Sequence, residues 1–276
     1  MKPEDLARPR GDAERVAALY DVHGNLPALE AVLEEIRAAG VDLIVVGGDV
    51  VPGPLPRETL ARLLALDPPA RFIQGNGDRV VVQAMCGVEP ASVPEPYRDG
   101  IYWAAGEVRE YEAVLAGWPK TLRLHVRGLG DVLFCHATPQ SDTENFTRRT
   151  PEDRLVPVFR DADAALVVCG HTHMQFDRTV GGVRVVNSGS VGMPFGEPGA
   201  YWLLLGPGVE LRRTRYDLEA AAALVRSTAY PHAEEFAARS VLQPPSEEAM
   251  LDVFAAREAS TPQQAAVPPG DTEAGK

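Results

Sequence analysis

Leu43-Ile44-Val45-Val46-Gly47-Gly48-Asp49 (LIVVGGD) decides the fold. Four apolar residues, three of them β-branched, read as a buried strand that stops at two glycines and ends on a carboxylate. Upstream, Val16 to Tyr20 is a second apolar run that stops at Asp21. Between them Pro27 suits a first helical turn, and Leu29, Val32, Leu33 and Ile36 repeat at helical spacing up to Gly40. Downstream, Arg57 to Leu66 reads as a helix stopped by Pro68-Pro69, and Arg71 to Gln74 as a third strand ending at Gly75-Asn76. This β-α-β-α-β order with short connections predicts a layered α/β fold with parallel strands.

Farther along, residues 80–118 read as a less regular, Pro-interrupted segment containing one helix and the aromatics Tyr97, Tyr102, Trp103 and Tyr111. Leu122 to Val126 and Asp131 to Cys135 flank Gly128-Leu129-Gly130, a hairpin signal, and the second strand runs into His136. Pro151 to Arg160 suits a helix. Ala164 to Cys169 reads as a strand ending at Gly170-His171-Thr172-His173, followed by four more β segments up to Tyr216. From about Val241 the chain turns rich in Pro, Glu and Ala. One or two amphipathic turns are expected around Ser246 to Arg257, with disorder at the end. The division expected is a main domain over 1–240, with 80–118 as an insert near its site, and a tail over 241–276.

The bulk numbers exclude several classes. A chain of 276 residues with 45% hydrophobic and 24% charged residues has a soluble, globular composition. A net charge of -12 argues against a nucleic-acid polymer as partner. It leaves room for a small anionic substrate if a metal supplies local positive charge. Cys86, Cys135 and Cys169 lack metal-binding spacing, and the last two read as small buried hydrophobes. The opening residues lack the apolar stretch of a secretory leader, and no apolar run approaches membrane-spanning length. A cytoplasmic location with no membrane association is expected.

Five apolar runs each end in a polar cluster: Asp21/His23, Asp49, Asn76, His136 and His171/His173. In a parallel α/β sheet the carboxyl ends of the strands share one edge, where ligands bind. Seven oxygen and nitrogen donors exceed what one tetrahedral ion takes. They suit two divalent ions sharing a carboxylate, a site whose net positive charge attracts phosphate. Imidazole-rich donors favour Mn, Fe, Zn or Ni over Ca or Mg, with Mn the first expectation.

Asp-x-His, Gly-Asp, Gly-Asn-x-Asp, a lone His and Gly-His-x-His together resemble the signature of the calcineurin-like metallophosphoesterases, over about Val16 to Tyr216. The segment Val185 to Phe195 (VVNSGSVGMPF) resembles the bacterial branch of small phosphodiesterases and nucleotide hydrolases. The resemblance implies a four-layer α-β-β-α sandwich of two mixed β-sheets with helices outside. It implies one metal on Asp21, His23, Asp49 and His173, and another on Asp49, Asn76, His136 and His171, with Asp49 bridging. A metal-bound hydroxide would attack phosphorus without a covalent enzyme intermediate. Asp49, Asn76 and Asp78 form the expected catalytic group, and Asn25 and Arg79 the expected phosphate contacts.

One position departs from the pattern. Many relatives carry His where this chain has Gly77, and there it is thought to protonate the leaving group. Asp78 then loses the His it would orient, and either backs the site or closes the turn. Loss of a positioned acid costs ~10²–10⁴ in rate, least where the leaving group is already good. The expected activity is therefore hydrolysis of small phosphodiesters, nucleotide-derived ones among them. A dinucleoside-polyphosphate hydrolase and a protein phosphatase are the alternatives. A non-enzymatic scaffold is the reading from another class, because the family also includes a retromer subunit with degraded metal positions. A homodimer contact through the Gly-rich hairpins or the aromatic segment is a further expectation.

Overall fold

The computed structural model describes residues 13–260. Strands β1 (Val16–Leu19), β2 (Leu43–Val46) and β3 (Ala70–Phe72) are joined by helices α1 (Leu26–Ala39) and α2 (Pro56–Leu64). The three strands pair in parallel, as the helical crossover between each pair allows. α1 keeps the expected face, burying Leu29, Val32, Leu33 and Ile36, and ends on Gly40 in the left-handed conformation.

The second sheet starts with the hairpin of β4 (Thr121–Val126) and β5 (Gly130–Cys135). Helix α6 (Glu152–Phe159) leads to β6 (Leu166–Cys169), and β7 (Phe176–Val180) and β8 (Val183–Asn187) complete it in the order β4-β5-β6-β8-β7. The chain then returns to the first sheet. β9 (Ala200–Leu205) lies antiparallel against the far side of β1, and β10 (Val209–Thr214) is the edge, in the order β10-β9-β1-β2-β3. Both sheets are thus mixed and five-stranded.

Alternation along the strands fixes the layers, because successive side chains point to opposite faces. Val16, Ala18 and Tyr20 meet Val132, Phe134, Leu166 and Val168 in a core between the sheets. Ala17 and Leu19 point the other way, under the helices that cover the first sheet. Leu133, Cys135, Val167 and Cys169 face outward beneath Leu155 and Phe159 of α6. The result is the four-layer sandwich.

Three segments differ from expectation. The turn-like QGNGDR opens a helix, α3 (Asn76–Met85). Residues 80–118 are not an irregular insert with one helix. They hold the end of α3, α4 (Arg98–Glu107) and α5 (Glu112–Ala116), with the prolines in the stretch between α3 and α4. Ile101, Ala104, Val108 and Leu115 are buried in the helical core over the first sheet, and Trp118 stacks on Phe72 at 4.8 Å. Beyond β10, α7 (Leu218–Arg226), α8 (Ala233–Phe236) and a π-helical turn form a satellite cluster. α9 (Glu247–Ser260) is a full helix rather than one or two turns, with Leu251 and Phe254 buried. The end of the tail, read as disordered, lies outside the described residues. Among them no helix is long and apolar enough to cross a membrane.

Candidate metal centre

The carboxyl ends of β1, β2 and β3 in one sheet, and of β5 and β6 in the other, open onto one seam. All seven predicted donors meet there. Asp21 Oδ1 lies 3.3 Å from His173 Nε2, 3.8 Å from His136 Nε2 and 3.9 Å from His23 Nε2. Asp49 spans the cluster, with Oδ1 3.6 Å from His136 Nε2 and Oδ2 3.9 Å from His23 Nε2. Asn76 Oδ1 is 3.0 Å from His136 Nε2, and the His136 and His171 rings meet at 5.2 Å.

The backbone around these groups is strained. Asp21, His23, Asp49, His171 and His173 all have positive φ, between 47° and 66°. Non-glycine residues seldom adopt that conformation, and where they do it concentrates at functional sites. Glycine is required where the loops touch. A Cβ at Gly48 would lie 2.5 Å from Gly75 N, and one at Gly170 would lie 2.4 Å from Asp21 Oδ2.

The histidines are oriented by what their other nitrogens do. Nδ1 of His23, His136 and His173 meets the carbonyl oxygens of Pro52 (3.1 Å), Gly47 (2.9 Å) and Met193 (2.7 Å). An N–H donated there leaves the Nε2 lone pair facing the cluster, the arrangement usual for metal-binding imidazole. The Asn76 amide sits against the acceptor nitrogens of His136 and His171: with a cation its oxygen faces that cation beside them, and without one the amide turns so that its nitrogen donates to both rings and to Asp142 O. Asp21 Oδ1 is buried and has no hydrogen-bond partner among the described residues. An orphaned carboxylate oxygen facing three imidazole nitrogens is the donor set a divalent cation satisfies. Asp21, His23 and His173 form one candidate group, and Asp21, Asp49 and His136 another.

A family model for the calcineurin-like phosphoesterase superfamily domain matches residues 15–205. The chain belongs to that superfamily. A protein of Methanocaldococcus jannaschii, MJ0912, is 28% identical over 179 residues, 64% of this chain and 69% of its own. The metallophosphoesterase from Sphaerobacter thermophilus has a similar structure, with TM-score 0.66 and 26% identity over 82% of this chain and 98% of its own. The hypothetical protein PH1004 of Pyrococcus horikoshii shares the fold at TM-score 0.72 and 19% identity, over 84% of this chain and 99% of its own. Calcineurin-like phosphoesterases are metal-dependent, so membership supports metal-dependent phosphoester hydrolysis on the Asp and His groups of this seam.

Charge in this calcineurin-like site is finely opposed. Burial acts to raise the Asp21 carboxyl, but His173, His136 and His23 outweigh it and hold it below the usual carboxylate range. Burial pushes His171 down to about 4, with His136 adding to the effect, so its ring is neutral at pH 7. Asp78 backs the centre: its buried carboxylate accepts from the N–H groups of Asp49 (2.8 Å), Val50 (2.8 Å), Val51 (3.2 Å) and Gly75 (3.1 Å). Burial and then the Asp49 charge push it up to about 7, against the pull of those N–H groups.

Two predicted phosphate contacts have other partners. Asn25 is fully buried; its Oδ1 caps α1 at Ala28 N, and its Nδ2 donates to Gly192 O at 3.0 Å. It shapes the Asp21 loop from within the protein and offers no free group to a ligand. The Arg79 guanidinium is held by both carboxylate oxygens of Asp142, at 2.6 and 3.1 Å, and so pins the loop after His136.

The sequence reading missed the braces. Asn187 Nδ2 donates to Gly170 O at 2.6 Å, Ser188 Oγ to Ala18 O at 3.1 Å and Ser190 Oγ to Asp21 O at 2.7 Å. All three are buried. They sew the end of β8 to the loops that carry Asp21 and His171. Their signal was a run of small polar residues directly after an apolar strand.

Proposed function

We propose that this protein is a dinuclear metal phosphodiesterase acting on small phosphodiesters, nucleotide-derived ones among them. The observation that carries the reading is Asp21 Oδ1, a buried carboxylate oxygen whose near neighbours are ring nitrogens with lone pairs turned toward it. Asp21, His23, Asp49 and His173 would hold one ion, and Asp49, Asn76, His136 and His171 the other. Mn fits the mixed imidazole and carboxylate donors. When bound, two such ions supply positive charge to the phosphoryl oxygens and lower the pKa of a water between them. The protein's own residues do the rest. Carbonyls of Pro52, Gly47 and Met193 fix three imidazoles in one tautomer. Asp78 fixes the Asp49 loop through three consecutive N–H groups. Gly77 N donates to Asp49 Oδ1 at 2.7 Å, holding that carboxylate at the mouth of the seam.

The diester preference rests on position 77. A Cβ there would lie 2.5 Å from Pro52 Cγ, so Pro52 fills the space in which a side chain would start. Asp142, on the loop after His136, is ion-paired to Arg79; burial acts to raise its pKa, but Arg79 lowers it overall, which makes it a poor proton donor. Substrates whose leaving group departs unprotonated are favoured.

Hydrolysis of bis-p-nitrophenyl phosphate and p-nitrophenyl phosphate, with Mn and with chelator, tests this. Mn-dependent diester cleavage that exceeds monoester cleavage and is lost in Asn76→Ala is the expected result. A preference for the monoester would overturn the diester reading. Full activity in chelator would overturn the metal reading.

A further inference from the structure

Helix α9 lies outside the matched family domain, yet it reaches the site. Its Leu251 and Phe254 pack with Met174, and Phe195 and Met250 pack against that cluster. Phe254 meets the Phe195 ring at 6.4 Å, and Phe195 stacks on the His173 ring at 5.4 Å with 25° between the planes. Pro245, just before the helix, accepts from Gly196 N at 2.9 Å, so the segment that carries Phe195 is tied to the arm by backbone as well. The outer edge of α9 is bolted down by charge. Arg148 reaches Glu247 at 3.1 Å and Glu248 at 3.3 Å, and Arg149 reaches Glu248 and also Asp252 at 2.9 Å. Near its end Glu258 accepts from Thr150 Oγ1 at 2.8 Å.

His173 needs such support more than His136 does. His136 is fully enclosed where β5 ends between the two sheets. His173 sits on a loop at the mouth, with its side chain 12% exposed and its backbone left-handed. Its ring is held by Met193 O at one nitrogen and by Phe195 on one face. Both belong to the 193–196 segment that the arm presses inward.

We infer that α9 is a clamp on the metal centre: through Phe254 and Phe195 it fixes the plane of the His173 ring, so that Phe195 is a positioning residue for the ion held with Asp21 and His23. Outer partners of metal-binding histidines are worth about tenfold or more in metal affinity, because they remove the cost of orienting the ring. The clamp acts on one half of the centre. On the side of His136 and Asn76, α9 is bonded to Arg148, Arg149 and Thr150, twelve or more residues along the loop from His136.

The test uses the full chain in two measurements. In chelator, ring NMR signals of His173 and His136, assigned by their loss in His173→Gln and His136→Gln, are compared between the parent and Phe254→Ala. That variant keeps Phe195 and removes only its backstop. A shift at His173 with His136 unmoved is expected, and an unmoved His173 overturns the clamp. If Phe254→Ala does not fold, Phe254→Leu, which keeps most of the volume and loses the ring, takes its place. The second measurement rests on the dinuclear reading. Calorimetric Mn titration is expected to resolve two steps, with Phe195→Ala weakening one about tenfold and Phe195→Tyr restoring it. Equal weakening of both steps overturns the clamp. A parent chain that binds no Mn would overturn the dinuclear reading, and the ring signals would still decide the clamp.

Discussion

The two sheets contribute different chemistry to the same seam. The first sheet, through the ends of β1, β2 and β3, brings both carboxylates, the Asn76 amide, one histidine and the Asp78 brace. The second, through β5 and β6, brings imidazoles alone: His136, His171 and His173. The local architecture differs too. Each strand end of the first sheet leads into a helix, after six residues from β1, nine from β2 and three from β3. In the second sheet β5 leads into a sixteen-residue loop held by Arg79 and the C-terminal arm, and β6 leads through six residues, held by Asn187, into another strand rather than a helix. Each candidate group draws on both sheets: Asp21 and His23 with His173, and Asp21 and Asp49 with His136. The site is a property of the interface between the sheets.

Breaking the chemistry on either side should give the largest effect. Asp21→Asn and His136→Gln are each expected to cut Mn-dependent diester hydrolysis about a hundredfold or more. The double variant is expected to lose little beyond the worse single one, because residues that act as a unit are not additive. Additive losses in steady-state kinetics would mean that the two sheets serve separate steps. Next comes the packing. Phe134 is fully buried between the sheets, and Phe134→Ala is expected to cost about 3–5 kcal/mol of stability. Denaturant unfolding followed together with activity checks this; activity that survives loss of the inter-sheet core would contradict an interface site.

Smaller still is the brace. Ser190→Ala removes the donor to Asp21 O and the acceptor for Met193 N, and is expected to cost about 1–3 kcal/mol. Thermal melts should show it, with a parallel loss of Mn affinity. The smallest effect concerns the arm. Burial raises the Glu258 carboxyl above 4.5, against the pulls of Thr150 and Arg154. The folded state therefore holds this proton more tightly than the unfolded chain does. Stability from this group is present at low pH and is lost as pH rises from 4.5 through the higher folded value. Glu258→Gln should flatten that part of the Tm–pH profile; an unchanged slope would place Glu258 outside the arm's stability.

The difference between the sheets also explains what the sequence made legible. The donors were readable because they cluster where apolar runs end, directly as at Asp21 and His136 or after glycines as in Gly47-Gly48-Asp49. The first sheet's β-α-β-α-β order was readable because Leu29, Val32, Leu33 and Ile36 keep a clean helical period. Asn25 and Arg79 were read as phosphate contacts because polar residues beside a site look alike whether they face a ligand or the protein. Their partners, Gly192 and Asp142, lie far away in sequence, where no local pattern points to them. Residues 80–118 were misread because Pro90, Pro94 and Pro96 suggested irregularity, although Pro90 and Pro94 fall between helices and Pro96 sits in the short 3-10 turn Glu95–Tyr97 that leads into α4. The period of Leu218, Ala221, Ala222 and Val225 in α7, capped by Asp217, was present and passed over.

The pairing of β1 with β9 has a consequence for how the protein is made. β1 emerges first from the ribosome, but it lies between β2 and a strand that emerges only after the second sheet is complete. Ala18 pairs with both Val45 and Leu203. Contacts so distant along the chain form slowly, and an interrupted chain cannot form them at all. Asp21 and His173 lie 152 residues apart and meet only where the two sheets pack, so a fragment released before β5 would carry Asp21, His23, Asp49 and Asn76 and none of the seam.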